Sequence, residues 1–161
     1  MPSEAVKKCC KVLLQKELSI AFAESATGGR CAAEFALIPK SGQVLQGGVV
    51  CYDGCVKRNL LKVQQKLIDQ YTPESAEVTE AMAEGLKELI NADIIVANTG
   101  LASPGGSESA EKPVGTMFIH LLVNNTALSM RKVYSGKPEE IVLKTIDDIA
   151  LLILEELKRI G

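Results

Sequence analysis

Apolar residues at Val6, Cys9, Cys10, Leu13 and Leu14 recur at the i, i+3, i+4, i+7, i+8 spacing of one buried helical face, with Ser3 ahead of them as a cap. The apolar run from Ser19 to Ala23 predicts a first strand. Cys31, Ala32, Phe35 and Ile38 then predict a helix over 27–38 that stops at Pro39. Val44 to Tyr52 reads as a second strand, and Gly47-Gly48 inside it signals a bulge or the close approach of another backbone. Charged and aliphatic residues mix at helical spacing from Val56 to Tyr71, giving one or two short helices. Thr72-Pro73-Glu74-Ser75 is a helix-start signal, and Val78, Met82, Leu86, Leu89 and Ile90 form the buried stripe that follows.

Asp93 to Asn98 is continuously apolar at its centre, as in a strand covered on both faces. A loop from Thr99 to Pro113 is too long to be a simple connection. Gly115 to Val123 and Ala127 to Tyr134 read as strands joined at a tight Asn124-Asn125 turn. Ile141, Ile146, Ile149, Ile153, Leu154 and Leu157 mark a long amphipathic closing helix. The order α-β-α-β-α-α-β-β-β-α predicts an α/β fold in which helices sandwich a mixed, mostly parallel sheet, in a single domain over 1–161.

A chain of 161 residues buries close to ~70% of the surface its unfolded form exposes, so it needs neither a metal nor a disulfide staple. Its 18 basic and 20 acidic residues are interspersed, and a net charge of −2 gives no field for gripping nucleic acid or an anionic membrane. No segment has the pattern of a signal peptide or a membrane span, which predicts a soluble, cytoplasmic protein. The five cysteines, Cys9, Cys10, Cys31, Cys51 and Cys55, form no C-x-x-C pair, and His120 is the single imidazole, so a zinc site is not expected. Cys9, Cys10 and Cys31 fall on apolar helical positions and read as small buried hydrophobes. His120, inside an apolar run, reads as structural.

The chemistry concentrates in AESATGG, Ala23 to Gly29, where a strand ends on a hydroxyl and two glycines open a helix. Such a junction exposes Ser25 beside free backbone N–H groups that can hold an anion or a developing oxyanion. Two further loops belong at the same carboxyl edge of the sheet: Tyr52 to Lys57, and the glycine-rich Thr99 to Gly106. With no usable histidine, a lysine is the natural activator for a serine here, and Lys57 serves if burial or a neighbouring cation holds it neutral. Tyr52 then relays the proton or holds the amine, while the N–H groups of Thr27, Gly28 and Gly29 face the oxyanion. The same spacing also suits a helix cap or phosphate contact at Ser25, a solvated Lys57 and a core-edge Tyr52.

AESATGG, the GGVVCY segment ending at Tyr52 with Lys57 five residues on, TGLASPGG and EKPVGT together resemble the C-terminal domain of the CinA (competence-damage-inducible) family, in order and over nearly the whole chain. The resemblance implies a three-layer α/β/α sandwich, usually oligomeric, and hydrolysis of the carboxamide of nicotinamide mononucleotide to nicotinate mononucleotide and ammonia without cofactor or metal. On matching positions it implies Ser25 as nucleophile, with Lys57 and Tyr52 as its catalytic partners. Thr27, Gly28, Gly29, Thr99 and Gly100 would line the pocket for a small nucleotide substrate. The MoaB-like domain of full-length members does not precede these motifs, so the resemblance is to the stand-alone form.

The chain departs from the family pattern at four places. Ala26 replaces a usual cysteine, Asp53-Gly54 replaces Ser-Asn, and Ser103 replaces a glycine in the third loop. Gly136-Lys137-Pro138 stands where Gly-Asp-Arg is usual, exchanging a bidentate guanidinium for a point charge at a neighbouring position. A diverged relative that binds a nucleotide without hydrolysing it, or one that hydrolyses another amide, is therefore an alternative expectation.

Overall fold

Burial separates the strands into two kinds. In the computed structural model, which describes residues 1–161, β1 (Ile20–Glu24), β3 (Ile94–Gly100) and β4 (Thr116–Val123) are buried almost without interruption. β2 (Leu45–Val50) and β5 (Thr126–Val133) alternate between half-buried and exposed positions over most of their length. Unbroken burial marks strands covered on both faces, and the sheet order β2-β1-β3-β4-β5 places the alternating pair at the two edges. β1 runs parallel to β2 and β3, whereas β4 is antiparallel to both β3 and β5. The sheet is thus mixed, with β4 alone opposing the other strands.

Helices cover both faces. On one side α1 (Glu4–Lys16), α2 (Arg30–Ala36) and α6 (Pro138–Ile160) bury Cys9, Leu13, Phe35, Ile149 and Ile153 against Phe22, Val96 and Leu121. On the other, α3 (Gly54–Leu61), α4 (Gln65–Tyr71) and α5 (Ala76–Leu89) pack against Ala21, Ala23, Ile95 and Ala97. Alternation along β1 explains the division: Phe22 faces the first layer, and the small side chains of Ala21 and Ala23 let the second layer lie close. No helix is long and apolar enough to cross a membrane.

Two local features differ from or sharpen the sequence reading. The second helix begins at Arg30 and not Thr27, because Gly28 (φ 57°) and Gly29 (φ 96°) form a left-handed turn first. The Gly47-Gly48 signal proves to be both of its alternatives. The register slips between Ile20 and Ala21 opposite Leu45 and Gly47, and a Cβ on Gly48 would lie 2.6 Å from the Phe22 carbonyl oxygen.

Candidate active site

The turn after β1 is set by Glu24, not by Ser25. Glu24 is 1% exposed, and its Oε2 accepts hydrogen bonds from Thr27 Oγ1 (2.6 Å), Gly29 N (3.0 Å) and Cys31 N (2.9 Å), while Oε1 accepts from Ala32 N (2.8 Å). A carboxylate therefore fills the positive end of α2 from inside the sheet. Asn98, fully buried on β3, completes the clamp. Its carbonyl accepts from Ser25 N (3.1 Å), its Oδ1 from Thr27 N (3.3 Å), and its Nδ2 donates to Thr27 Oγ1 (2.9 Å). Neither residue stood out among the chemistry-bearing ones in the sequence. The available signal was a polar side chain directly following the apolar run of each of two strands.

These bonds correct the expected oxyanion site. Thr27 N is held by Asn98, Gly29 N by Glu24, and Gly28 N donates to the Ser25 carbonyl (3.1 Å), so none of the three is free for a ligand. The Ala26 N–H has no acceptor within the chain. Relieved of capping, the Ser25 hydroxyl turns toward α3.

Lys57 reaches it from there. Asp53 caps α3 by accepting Cys55 N at its Oδ1 (2.7 Å), so the departure at Asp53-Gly54 keeps a working N-cap. One turn later Lys57, 1% exposed, directs Nζ to Ser25 Oγ (2.9 Å), the Cys51 carbonyl (2.8 Å) and the Tyr52 carbonyl (3.2 Å). Burial pulls its pKa below the ordinary 10.5, opposed by the nearby Cys51, Glu74 and Asp53. Burial also pushes the Cys51 thiol up to about 11, so it stays protonated beside the amine at neutral pH.

Ser25 opens into a cavity of about 170 Å³ lined by Tyr52, Glu74 and the segment Gly100 to Gly106. The Tyr52 side chain is 71% exposed and makes no hydrogen bond. The carbonyl of this residue, and not its phenol, holds the amine. Thr99 is buried with Oγ1 2.8 Å from Thr79 Oγ1, inside the fold. Thr27, Gly28 and Gly29 likewise lie outside the lining, whereas Gly100 borders it. Gly100 also answers a packing need, since a Cβ there would sit 2.7 Å from the Thr116 carbonyl.

Of the altered positions, one borders this cavity. Ser103 lines it, adding a side chain at its wall. Ala26 packs against the small cluster formed by Met117, Tyr134 and Ile141 and does not line the cavity. Lys137 is exposed at the start of α6 and does not border the cavity. His120 bonds Ser129 Oγ through Nδ1 (2.7 Å) within the sheet, and no cluster of three or more His, Cys, Asp or Glu side chains is arranged to hold a metal ion.

The resemblance extends over nearly the whole chain in sequence and in fold. The solved competence damage-inducible protein A of Klebsiella pneumoniae superposes with a TM-score of 0.91 at 26% identity, covering 96% of either chain. A competence/damage inducible protein of Agrobacterium tumefaciens gives 0.89 at 28% identity, over 96% of this chain and 97% of that one. In sequence, a putative competence-damage inducible protein of Desulforudis audaxviator is 35% identical over 148 residues, 92% of this chain and 36% of that protein. A CinA-like protein of Geotalea uraniireducens is 41% identical over 127 residues, 79% of this chain and 30% of its own length. The chain thus spans about a third of the curated relatives it matches. The family model of the CinA C-terminal domain matches residues 3–158, and with that extent of agreement in sequence and fold, the chain belongs to the CinA C-terminal domain family.

Proposed function

We propose that this domain is a Ser-Lys amidohydrolase that deamidates nicotinamide mononucleotide to nicotinate mononucleotide and ammonia. The observation that carries the reading is the Ser25 Oγ to Lys57 Nζ hydrogen bond of 2.9 Å at the wall of a cavity. The other two partners of Nζ are uncharged carbonyls. A neutral amine has two N–H donors and one lone pair, so the carbonyls of Cys51 and Tyr52 take the donors and leave the lone pair aimed at the Ser25 hydroxyl.

In this mechanism Ser25 Oγ attacks the carboxamide carbon as Lys57 Nζ takes its proton, and the C=O bond opens to an oxyanion. The Ala26 N–H, on the residue following the nucleophile, has no acceptor within the chain, and this reading assigns it as the donor to that charge. Collapse breaks the C–N bond, and the lysine proton passes to the leaving nitrogen, which departs as ammonia. Water then attacks the acyl-serine ester, giving its proton to Lys57. The ester C–O bond breaks, the proton returns to Ser25 Oγ, and the carboxylic acid product ionises. Purified protein incubated with nicotinamide mononucleotide should yield equal amounts of ammonia and nicotinate mononucleotide, and Ser25→Ala should yield neither. Full turnover by Ser25→Ala would sink the proposal.

A second reading, nucleotide binding without turnover, is favoured by one observation: Ser103 adds a side chain to the wall of the cavity into which Ser25 opens, where it can hinder the approach of the carboxamide to the hydroxyl. It predicts thermal stabilisation by nicotinamide mononucleotide with no ammonia released.

A further inference from the structure

Three of the four motif segments contribute a residue to the Ser25 cavity, and EKPVGT, 111–116, contributes none. Its lysine is nonetheless tied to the cavity's largest wall. Gly100 to Gly106 makes up most of the lining, yet Ser103 to Gly106 are exposed and belong to no strand or helix. Main-chain bonds close the loop at its base, from Leu101 N to the Thr116 carbonyl (2.9 Å) and from Gly115 N to the Leu101 carbonyl (2.6 Å). Between Ala102 and Lys112 the one main-chain bond, from Ser109 N to the Lys112 carbonyl, stays within the segment. Gly105 N and Gly106 N donate to Glu108 of the same loop. Neither apolar burial nor a backbone ladder holds Ser103 to Gly106 in place.

Side chains hold it instead. Lys112 Nζ donates to Ser107 Oγ (2.6 Å) at the end of the wall, and to Thr72 Oγ1 (2.5 Å) and the Glu74 carbonyl (2.8 Å) in the connection between α4 and α5. An ammonium has three N–H donors, and here each has its own acceptor. The two hydroxyls extend the network: Ser107 Oγ donates to Glu74 Oε2, and Thr72 Oγ1 to the Glu74 carbonyl (3.2 Å). Thr72 meets the ammonium from a left-handed backbone (φ 70°), a conformation that a β-branched residue keeps only where its surroundings impose it. Burial lowers the Lys112 pKa from 10.5, and the Glu74 carboxylate on the far side of Ser107 opposes that shift. The other side chain that ties the loop to the sheet, Arg131, bonds the Glu111 carbonyl beyond the wall.

We propose that Lys112 is a positioning residue of the active site, whose ammonium fastens the segment from Gly100 to Gly106 to the α4–α5 connection and so fixes the wall against which the substrate binds. The proposal rests on the reading of this cavity as the substrate site of Ser25 and Lys57. That pair does not depend on the clamp, because Lys57 bonds Ser25 and the carbonyls of Cys51 and Tyr52, none of which belongs to the loop. Loss of the clamp therefore weakens the hold on ground state and transition state alike, which raises KM and leaves kcat in place.

Lys112→Met keeps the apolar stem and removes the three donors. In the free protein, amide hydrogen exchange over residues 102–109 should become at least about tenfold faster, with β1 and α3 unchanged. The KM for nicotinamide mononucleotide should rise by at least about tenfold while kcat stays within about threefold of wild type. The Kd measured by calorimetry in Ser25→Ala should weaken in the same proportion when Lys112→Met is added. A lysine that serves the fold alone gives another pattern, because partial unfolding removes active molecules and lowers kcat at constant KM. Ser107→Ala, which cuts the loop side of the clamp, should raise KM as well, and Ser107→Thr, which retains the hydroxyl, should restore it. Unchanged KM and Kd in Lys112→Met and Ser107→Ala, or a loss of kcat at constant KM, overturns the clamp and leaves the amidase intact. Binding without ammonia release in the wild type, weakened by Lys112→Met, supports the clamp and removes the hydrolase. Binding of the nucleotide by neither protein overturns both.

Discussion

Lys57 Nζ stands 2.9 Å from Ser25 Oγ with only uncharged partners, a hydroxyl and two main-chain carbonyls, on a side chain that is 1% exposed. A buried lysine normally needs a carboxylate to keep its proton. None lies within 4.0 Å of this one, so its surroundings favour the form that can act as a base.

Replacing Lys57 by Met keeps the apolar stem and removes the nitrogen. Turnover of nicotinamide mononucleotide is expected to fall by about 10²–10⁴, the usual worth of a positioned general base, while the protein remains folded. Lys57→Arg should be equally inactive, because a guanidinium does not surrender its proton. Ammonia release and far-ultraviolet circular dichroism on the same samples check this. An active arginine variant would rule out the lysine as base.

The depressed pKa of Lys57 fixes the direction of two pH effects. Turnover should rise with pH through the lowered value, as the fraction of neutral amine grows. Stability should rise as well. The unfolded chain holds this proton up to the ordinary 10.5 and the folded one releases it earlier, so between those values the unfolded state binds more protons and unfolding becomes harder as pH increases. Below the lowered value the cost of burying the ammonium is fully present. Urea midpoints of wild type minus Lys57→Met, from about pH 7 to 10.5, should climb across that window. A flat difference would mean that burial leaves the amine unperturbed.

Glu24→Ala should cost about 2–4 kcal/mol, since hydrogen bonds to a charged acceptor contribute roughly 1.5–3 kcal/mol and the donors left behind are buried at Cys31 and half-buried at Gly29 and Ala32. Gly29 N, Cys31 N and Ala32 N would all lose their acceptor. Glu24→Gln keeps one carbonyl oxygen and should fall between wild type and Glu24→Ala in urea unfolding. A loss below about 1 kcal/mol in Glu24→Ala would show that water replaces the carboxylate.

These dependences explain what the sequence could disclose. The strands at the sheet's centre are visible as apolar runs because burial on both faces leaves no room for alternation, and Ser75 is visible as a cap because its partner, Val78, is three residues away. Spacing also brings Ser25 and Lys57 to one edge of the sheet. The start of α2 and the acceptors of its N–H groups were not readable in the same way. Glu24 caps that helix from five to eight residues upstream, in a strand, and Asn98 reaches Thr27 across 71 residues. No local pattern encodes either bond. Glu74 was concealed by its place in a helix-start signal, since its position at the cavity is fixed by Ser107 and Lys112, more than thirty residues away.

The last dependence links packing to chemistry. Gly85, inside α5, faces the Leu61 main chain at the end of α3, and a Cβ there would overlap the Leu61 carbonyl oxygen and lie 2.7 Å from its carbon. Leu61 is one turn beyond Lys57 on the same buried side of α3. Alanine gains about 1 kcal/mol in helix propensity over glycine. The clash is with backbone rather than a flexible side chain, and overpacking of roughly 1–3 kcal/mol should outweigh that gain. Gly85→Ala is therefore expected to lower stability by about 1–2 kcal/mol. It should also lower kcat by about tenfold or more, because small displacements of a catalytic group are costly. Gly54→Ala, on the same α3 helix, is the control, since its Cβ would meet Ile68 Cδ1 at an ordinary 3.9 Å. A Gly85→Ala protein as stable and as active as the control would mean that α5 does not set the position of Lys57.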